Sequence, residues 1–284
     1  MTNPLVSIIT PSYNQGRFLE ETLRSVKEQD YPHIEHLVID GASTDNTLDI
    51  LRRYEGTYHM RWLSEPDNGH ADALWKGFRL AAGQILAWLN SDDVYLPGAI
   101  STVVETFQRH PDADLIYGDV VMIDANGQEI GTRRLTRLDR YDFLGHGDCL
   151  AQPAAFWTRE IYERVGGIDS RWYFQMDLDF FIRVAAAGTM RHQKAYLAKM
   201  RLHPDGKMAK ADQIRRAELS VLQQRYITEQ GVKRLLYTRS FLLSRLFVRL
   251  AAQGDLDYAI QKAWQRLIGR NRRSKPWRQA RCHV

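Results

Sequence analysis

Apolar residues in the first hundred positions fall into short runs separated by amphipathic stretches. Residues 5–10 form a run of strand length and are followed at once by the turn formers of residues 11–16. Phe18, Leu19, Thr22, Leu23 and Val26 then recur at helical spacing, and residues 34–39 give a second apolar run that ends at Asp40 and Gly41, completing a βαβ unit. A helix over residues 45–54 capped by Ser43 or Thr44, a strand near 60–63, a loop over 64–69 and a helix over 71–82 lead to the apolar run 85–89. Strands alternating with helices predict an α/β fold with a mostly parallel central sheet and right-handed crossovers.

The run 85–89 stops abruptly at Asn90, Ser91, Asp92 and Asp93, and Pro97 opens a further amphipathic helix through residue 109. Ligands of open α/β sheets bind beyond the carboxyl ends of the strands, so this acidic corner lies where a ligand is expected. Adjacent carboxylates repel unless a cation or hydrogen-bond donors offset them, which suits a divalent metal carrying phosphates; capping of the next helix is the competing reading. Beyond it, residues 114–118 read as a strand. Residues 120–133 read as an antiparallel hairpin turning at Asn126 and Gly127, and residues 155–158 and 190–197 as further strands. His146, a lone histidine in the loop of residues 145–155, has no partner motif.

Composition narrows the class. The chain of 284 residues is 44% hydrophobic and 26% charged, enough for a proper core. No signal peptide or membrane-spanning run is legible, and Cys149 and Cys282 have neither disulfide-framework nor metal spacing, so a cytoplasmic setting is expected. Residues 1–200 carry 20 Lys and Arg against 28 Asp and Glu, a net −8, whereas residues 201–284 carry 19 against 6, a net +13. The tail is helical in pattern, with Leu235, Leu236, Leu242, Leu243, Leu246 and Leu250 on one side and Arg245 and Arg249 on the other; residues 270–281 are basic around Trp277. Peripheral contact with the anionic inner face of a plasma membrane, packing on the body and a homo-oligomer contact all fit this tail, and no motif favours nucleic acid.

The first strand is not followed by G-x-G-x-x-G, and G-x-x-x-x-G-K-[ST] is absent. The loop of residues 11–16, Asp40 and Asp92 are nevertheless expected along one sheet edge. There Tyr13 would pack on a base, Asp40 would accept from a base N–H, and Asp92 would hold metal on a diphosphate. Four segments, SIITPSYNQG from Ser7, VIDGASTDNT from Val38, SEPDNG from Ser64 and LNSDD from Leu89, resemble those of family 2 glycosyltransferases in order and spacing. The resemblance covers roughly residues 5–204 and implies a GT-A fold that transfers sugar from a nucleoside diphosphate donor. Residues 1–118 would form the nucleotide-sugar half, residues 119–204 the acceptor half, and residues 205–284 a basic helical extension.

The resemblance assigns Pro11, Tyr13 and Asp40 to the nucleoside, with Ser12 and Asn14 in the same loop. Asp92 becomes a metal ligand for Mn²⁺ or Mg²⁺, and Asp93, Asn90 and Ser91 lie beside the donor sugar. Asn90 stands where the family often has Asp. Asp72 would approach the donor ribose or sugar, with Lys76 adding charge toward the diphosphate, although an exposed i,i+4 pair is the plainer reading. Gln152 and Pro153 match a position near the acceptor. The segment QMDLDFFIR from Gln175 resembles the family's E-D-x-D-L-x-x-R, which makes Asp177 the general base, with Met176 replacing an acid and Asp179 pairing with Arg183. Arg201 and His203 match a segment that closes over the diphosphate, Arg201 on phosphate oxygens and His203 as a second metal ligand.

The expectation is an inverting transferase: an acceptor hydroxyl of a glycan or lipid-linked glycan, deprotonated by Asp177, displaces UDP or dTDP at the anomeric carbon. A sugar-phosphate nucleotidyltransferase would want a Gly-rich basic first loop. A nucleotide-sugar binding module without catalysis is the alternative to which Asn90 and Met176 point.

Overall fold

The computed structural model describes residues 3–140, 142–143, 150–207 and 212–229, with isolated positions 248 and 252. The elements in order are β1 (Val6–Ser12), α1 (Leu19–Lys27), β2 (Ile34–Asp40), α2 (Thr47–Tyr54), β3 (Met60–Ser64), α3 (His70–Leu80), β4 (Ile85–Trp88), β5 (Val94–Tyr95) and α4 (Ala99–Arg109). They continue through β6 (Leu115–Ile123), β7 (Glu129–Arg133), a single 3₁₀ turn (Gln152–Ala154), β8 (Ala155–Thr158), α5 (Arg159–Arg164), α6 (Met176–Ala187), β9 (Met190–Arg201) and α7 (Asp212–Glu229). One curled sheet runs β3-β2-β1-β4-β8-β6-β9-β5, with β7 also paired to β6. The first four strands are mutually parallel. β8 and the hairpin strand β7 supply the antiparallel section, while β9 returns parallel to β6.

The near-continuous apolar runs arise because both faces of the sheet are covered. Alternate residues feed two cores. Ile9, Leu86, Trp88 and Tyr117 pack with Leu74 and Phe78 of α3, Phe180 and Phe181 of α6, and Leu222 and Tyr226 of α7. Val6, Ile8, Ile85, Ala87 and Leu89 pack with Ile100, Val103 and Phe107 of α4 on the other side. Helix α3 lies so close that a β-carbon added at Gly77 would meet Ile9 Cγ2 at 2.4 Å.

Several expectations are corrected. β1 extends to Ser12, so Pro11 and Ser12 are paired strand residues opposite Ile39 and Asp40 rather than turn residues. α2 begins at Thr47 without a side-chain cap, because Ser43 and Thr44 are engaged with Asp40 and Asn14 instead. β9 continues past residue 197 to Arg201, where it gains a partner in the short strand β5 that the sequence pattern did not signal.

Leu222 is fully buried, Tyr226 is nearly so, and the Tyr226 hydroxyl donates to Asp179 Oδ1 at 2.8 Å, so α7 belongs to the body. His146, Cys149, Cys282, the leucines of residues 235–250 with Arg245 and Arg249, and the basic stretch around Trp277 lie outside the described residues. Among the described residues no helix is long and apolar enough to cross a membrane.

Candidate active site

β1, β2, β3 and β4 all end on one edge of the sheet, and the loops that follow are tied to each other. Asp40, fully buried at the end of β2, accepts from Ser43 N at 2.9 Å and from Ser64 Oγ at 2.7 Å, and Ser43 Oγ donates to its second oxygen. Ser43 Oγ in turn accepts from Asn14 N at 2.7 Å, while Asn14 Oδ1 accepts from Thr44 N at 2.8 Å. Asn14 takes a left-handed backbone, φ 52°, which Asn tolerates better than most residues. Gly16 leaves room for the Asn46 side chain, whose Oδ1 a β-carbon there would meet at 1.9 Å. This stitching leaves Tyr13 presented to solvent at 61% exposure, and beneath it Ser12 Oγ is buried with no partner.

The acidic corner divides its two carboxylates. Asp93 is buried: Oδ1 accepts from Arg201 N at 2.9 Å, and Oδ2 accepts from Asn90 Nδ2 at 3.0 Å. Burial, then the neighbouring Asp92 charge, pushes its carboxyl well above the usual carboxylate range. Asp93 is thus turned inward and held by the Asn90 side chain and the Arg201 backbone. Asp92 keeps a partly open carboxylate, and its Oδ2 lies 3.0 Å from His203 Nε2. His203 itself is buried under Phe18, ring centroids 4.7 Å apart, with Nδ1 unpartnered.

The Arg201 side chain is 2% exposed and its donors go to the Asp92 carbonyl at 2.8 Å, the Asp124 carbonyl at 3.1 Å and the Glu21 carboxylate. With Phe18 also against its guanidinium, it clamps the corner to β9 and α1. Gln152, expected at the acceptor, instead accepts from Asn90 Nδ2 at 3.1 Å and donates to the Trp88 carbonyl at 2.6 Å; Pro153 is buried in the same turn. Ser91, between Asn90 and Asp92 in sequence, is buried at 5% exposure.

Lys76 realises the plainer reading. Its ammonium meets Glu65 at 2.8 Å, the Pro66 carbonyl at 3.3 Å and Asp72 at 3.7 Å, and the Glu65 hydrogen bond raises its pKa. Asp72 accepts from Asn68 N at 3.0 Å and thereby shapes the loop entering α3.

On the far side, Asp177 occupies the first turn of α6, with Oδ1 accepting from Leu178 N at 2.7 Å, while Phe180, Phe181 and Val184 are buried as their spacing requires. Asp179 is 1% exposed and paired with Arg183 at 2.7 Å. Three groups here were not read from the sequence. Glu218 of α7 accepts from the backbone N–H groups of Tyr173, Phe174 and Gln175 at 2.8, 2.8 and 2.9 Å, fixing the turn that launches α6. Lys207, on the segment after β9, donates to the Tyr173 carbonyl and interacts with the Asp177 and Glu218 charges. His70, at the start of α3, lies beside Asn90 and also senses Lys207; burial, then the Lys207 charge, lowers it to about 3, so the imidazole is neutral. No local motif marks any of them, because each acts across distant sequence.

Asp92 and His203, a carboxylate oxygen and an imidazole nitrogen in contact, have the chemistry that would hold a divalent cation such as Mn²⁺. Among the described residues no cluster of three or more His, Cys, Asp or Glu adds a further ligand.

A curled α/β sheet whose strand ends carry the Asp40 loop and the Asp92–His203 pair, with an Asp-led helix beyond, has the architecture of a GT-A-like glycosyltransferase. The family model of glycosyl transferase family 2 matches residues 7–165. The chain is 32% identical over 186 residues to a PGL/p-HBAD biosynthesis glycosyltransferase of Mycobacterium bovis, covering 64% of this chain and 70% of that protein. It is 46% identical over 98 residues to the putative teichuronic acid biosynthesis glycosyltransferase TuaG of Bacillus subtilis, 33% of this chain and 38% of that one.

Among solved structures, S. aureus TarS 1-349 in complex with UDP-GlcNAc aligns with a TM-score of 0.63 at 14% identity, covering 93% of this chain and 92% of that one. The mannosyltransferase PcManGT of Pyrobaculum calidifontis, in complex with GDP-Man and Mn²⁺, aligns at 0.59 and 21% identity, over 96% and 77%. The chain spans 43% of a longer TarS chain. These structural likenesses speak to fold; the family match and the sequence relatives decide the rest. The protein belongs to glycosyltransferase family 2 and is a glycosyltransferase enzyme.

Proposed function

We propose that this glycosyltransferase moves a sugar with inversion from a nucleoside diphosphate, UDP or dTDP in preference to GDP, to a hydroxyl of a glycan or lipid-linked glycan. The observation that carries this reading is the Asp92–His203 contact at the end of β4, set beside the loop that presents Tyr13. The exposed Tyr13 ring offers a face for the base, and Asp40 acts chiefly by holding Ser43 and through it the Asn14 backbone. Asp92 and His203 would hold Mn²⁺ or Mg²⁺, which when bound supplies Lewis-acid charge to the leaving diphosphate. A UDP-GlcNAc complex of a structural neighbour favours uridine, while a GDP-Man complex of another makes guanosine the competitor to test.

Asp177 takes the proton of the acceptor hydroxyl as its oxygen attacks the anomeric carbon, and the bond to the diphosphate breaks on the opposite face. One base facing one leaving group gives a single displacement, hence inversion. Positioned proton removal of this kind contributes about 10²- to 10⁴-fold. The relatives named for PGL/p-HBAD and teichuronic acid biosynthesis support a glycan or glycolipid acceptor for this chain.

Calorimetric titration with UDP, dTDP and GDP, each with Mn²⁺ and with EDTA, tests the donor site. The reading expects UDP or dTDP to bind tightest and to lose most affinity in EDTA and in Asp92→Ala. Binding indifferent to metal and to Asp92, or no binding of any nucleoside diphosphate, contradicts it.

A further inference from the structure

We propose that the cleft between α3 and the loop leading into α6 is a second saccharide site, which grips a non-reacting part of the glycan acceptor away from the acidic corner. The ligand class rests on the reading of the acceptor as a glycan; the cleft stands on its own geometry. It encloses about 350 Å³, within the range of ligand pockets, and is lined by Trp75 of α3, by Gly166, Asp169 and Arg171 of the loop, and by Asp179 and Arg183 of α6.

Trp75 takes no part in the core. The buried face of α3 is made by Ala71, Ala73, Leu74, Gly77 and Phe78, and Trp75 stands off it at 44% exposure. Arg79, one turn further on, lies over one face of the indole, 4.6 Å from the ring. The other face and the ring edge supply the exposed surface. An indole so held is a flat, rigid, apolar platform that loses little freedom on binding, which suits the C–H face of a pyranose ring.

The polar groups beside it favour a polyol over an anion. Arg171 is claimed by Asp169, its Nε 2.9 and 3.0 Å from the two carboxylate oxygens. Arg183 is claimed by Asp179 at 2.7 Å and by the Val165 carbonyl, and Asp179 also accepts from the Tyr226 hydroxyl. Each of these guanidinium groups has a carboxylate of its own, with which an entering phosphate would compete. Sugar hydroxyls need no such displacement, because a paired carboxylate keeps acceptor lone pairs and a paired guanidinium keeps N–H donors, both in fixed geometry. Gly166 and Gly167 take left-handed backbone, φ 79° and 68°, and a β-carbon at Gly166 would meet no atom within 4 Å. The loop thus turns without placing a side chain in the cleft. Asp179 follows Asp177 by two residues, about 200° around α6, so the cleft and the base lie on opposite sides of the first turn of that helix. A glycan crossing the loop of residues 169–175 would touch both.

The test is ligand-observed saturation-transfer NMR on the full chain with UDP and Mg²⁺ present. Cellobiose and chitobiose are the probes and inorganic phosphate the competitor, for wild type, Trp75→Ala, Gly166→Asn and Asp177→Asn. The proposal expects a disaccharide to bind wild type and Asp177→Asn alike and to bind Trp75→Ala about 10-fold more weakly. Binding should be lost in Gly166→Asn, whose side chain enters the cleft from a left-handed backbone that Asn tolerates. Phosphate should not displace the sugar. UDP affinity by calorimetry should stay within about twofold of wild type in Trp75→Ala, as expected of a distant site.

Failure of both disaccharides to bind, equal binding to wild type and Trp75→Ala, or displacement by phosphate would overturn the proposal. Loss of binding in Asp177→Asn with retention in Trp75→Ala would put the sugar at the base and overturn it equally. If Gly166→Asn does not fold, Trp75→Ala decides, since that side chain lies outside the core. Failure of wild type to bind any nucleoside diphosphate would overturn the donor reading instead, an outcome distinct from any Trp75 result.

Discussion

At the corner after β4, Asn90, Asp93, Gln152 and Arg201 are tied to one another and to the backbone, which leaves Asp92 partly open and in contact with the buried His203. At the turn before α6, by contrast, Asp177 stands on a backbone held by Glu218 and Lys207, which come from residues beyond β9. The first region is assembled mostly from groups near the ends of parallel strands. The second depends on chain more than 25 residues downstream of the base. Donor binding and proton removal should therefore respond separately to mutation, and the C-terminal helix should matter only to the second.

The largest effect expected on this contrast comes from acid. His36 of β2 is fully buried, within hydrogen-bond distance of Thr10 Oγ1 at 2.8 Å and the Tyr58 hydroxyl at 2.7 Å, and burial lowers it to about 3. Its folded pKa lies below its unfolded value, so the unfolded chain binds the extra proton. Stability is complete above about pH 6.5 and declines as pH falls toward 3, by an amount on the order of 4 kcal/mol. Urea unfolding from pH 7 to pH 4 should show this decline, and His36→Gln should flatten it.

Leu222→Ala comes next. It opens a cavity where α7 meets the core and should cost about 2–5 kcal/mol by denaturant unfolding. Nucleotide affinity should change little in the folded fraction, because Asp40, Ser43 and Asn14 hold the donor loop through bonds of their own. Glu218→Gln should be milder, about 1–3 kcal/mol, since an amide oxygen keeps part of the bonding to residues 173–175 while the charge is lost. In that variant kcat should fall more than donor KM rises. Ser43→Ala, which removes the link from Asp40 to Asn14, should have the smallest effect on stability, about 1 kcal/mol, but should weaken nucleotide binding measurably by calorimetry.

The donor half was legible because its chemistry follows strand ends. Apolar runs located β1, β2 and β4, and the residues that interrupt them, Asp40 and Asn90 to Asp93, fall on the ligand edge by topology alone. What sequence could not show was which carboxylate faces outward. Asp92 and Asp93 are adjacent and chemically identical, and their roles are separated by β9, whose last residue donates its backbone N–H to Asp93. Arg201 likewise reads as a free cation until the Asp92 and Asp124 carbonyls and Glu21 are seen to claim it. Lys207, Glu218 and His70 carried no signal, since each becomes relevant only through contacts across the fold. The amphipathic pattern of the tail leaves open which surface covers it, and α7 takes one of the alternatives, packing on the body.

The central claim is the division between a donor corner and a separate base, and Asp177→Asn tests it most directly. Binding of UDP or dTDP with Mn²⁺ should match wild type within about twofold, while nucleotide release from the UDP-hexose panel should fall by about 10²- to 10⁴-fold. Turnover that survives in Asp177→Asn, or nucleotide binding that disappears with the base, would contradict the account.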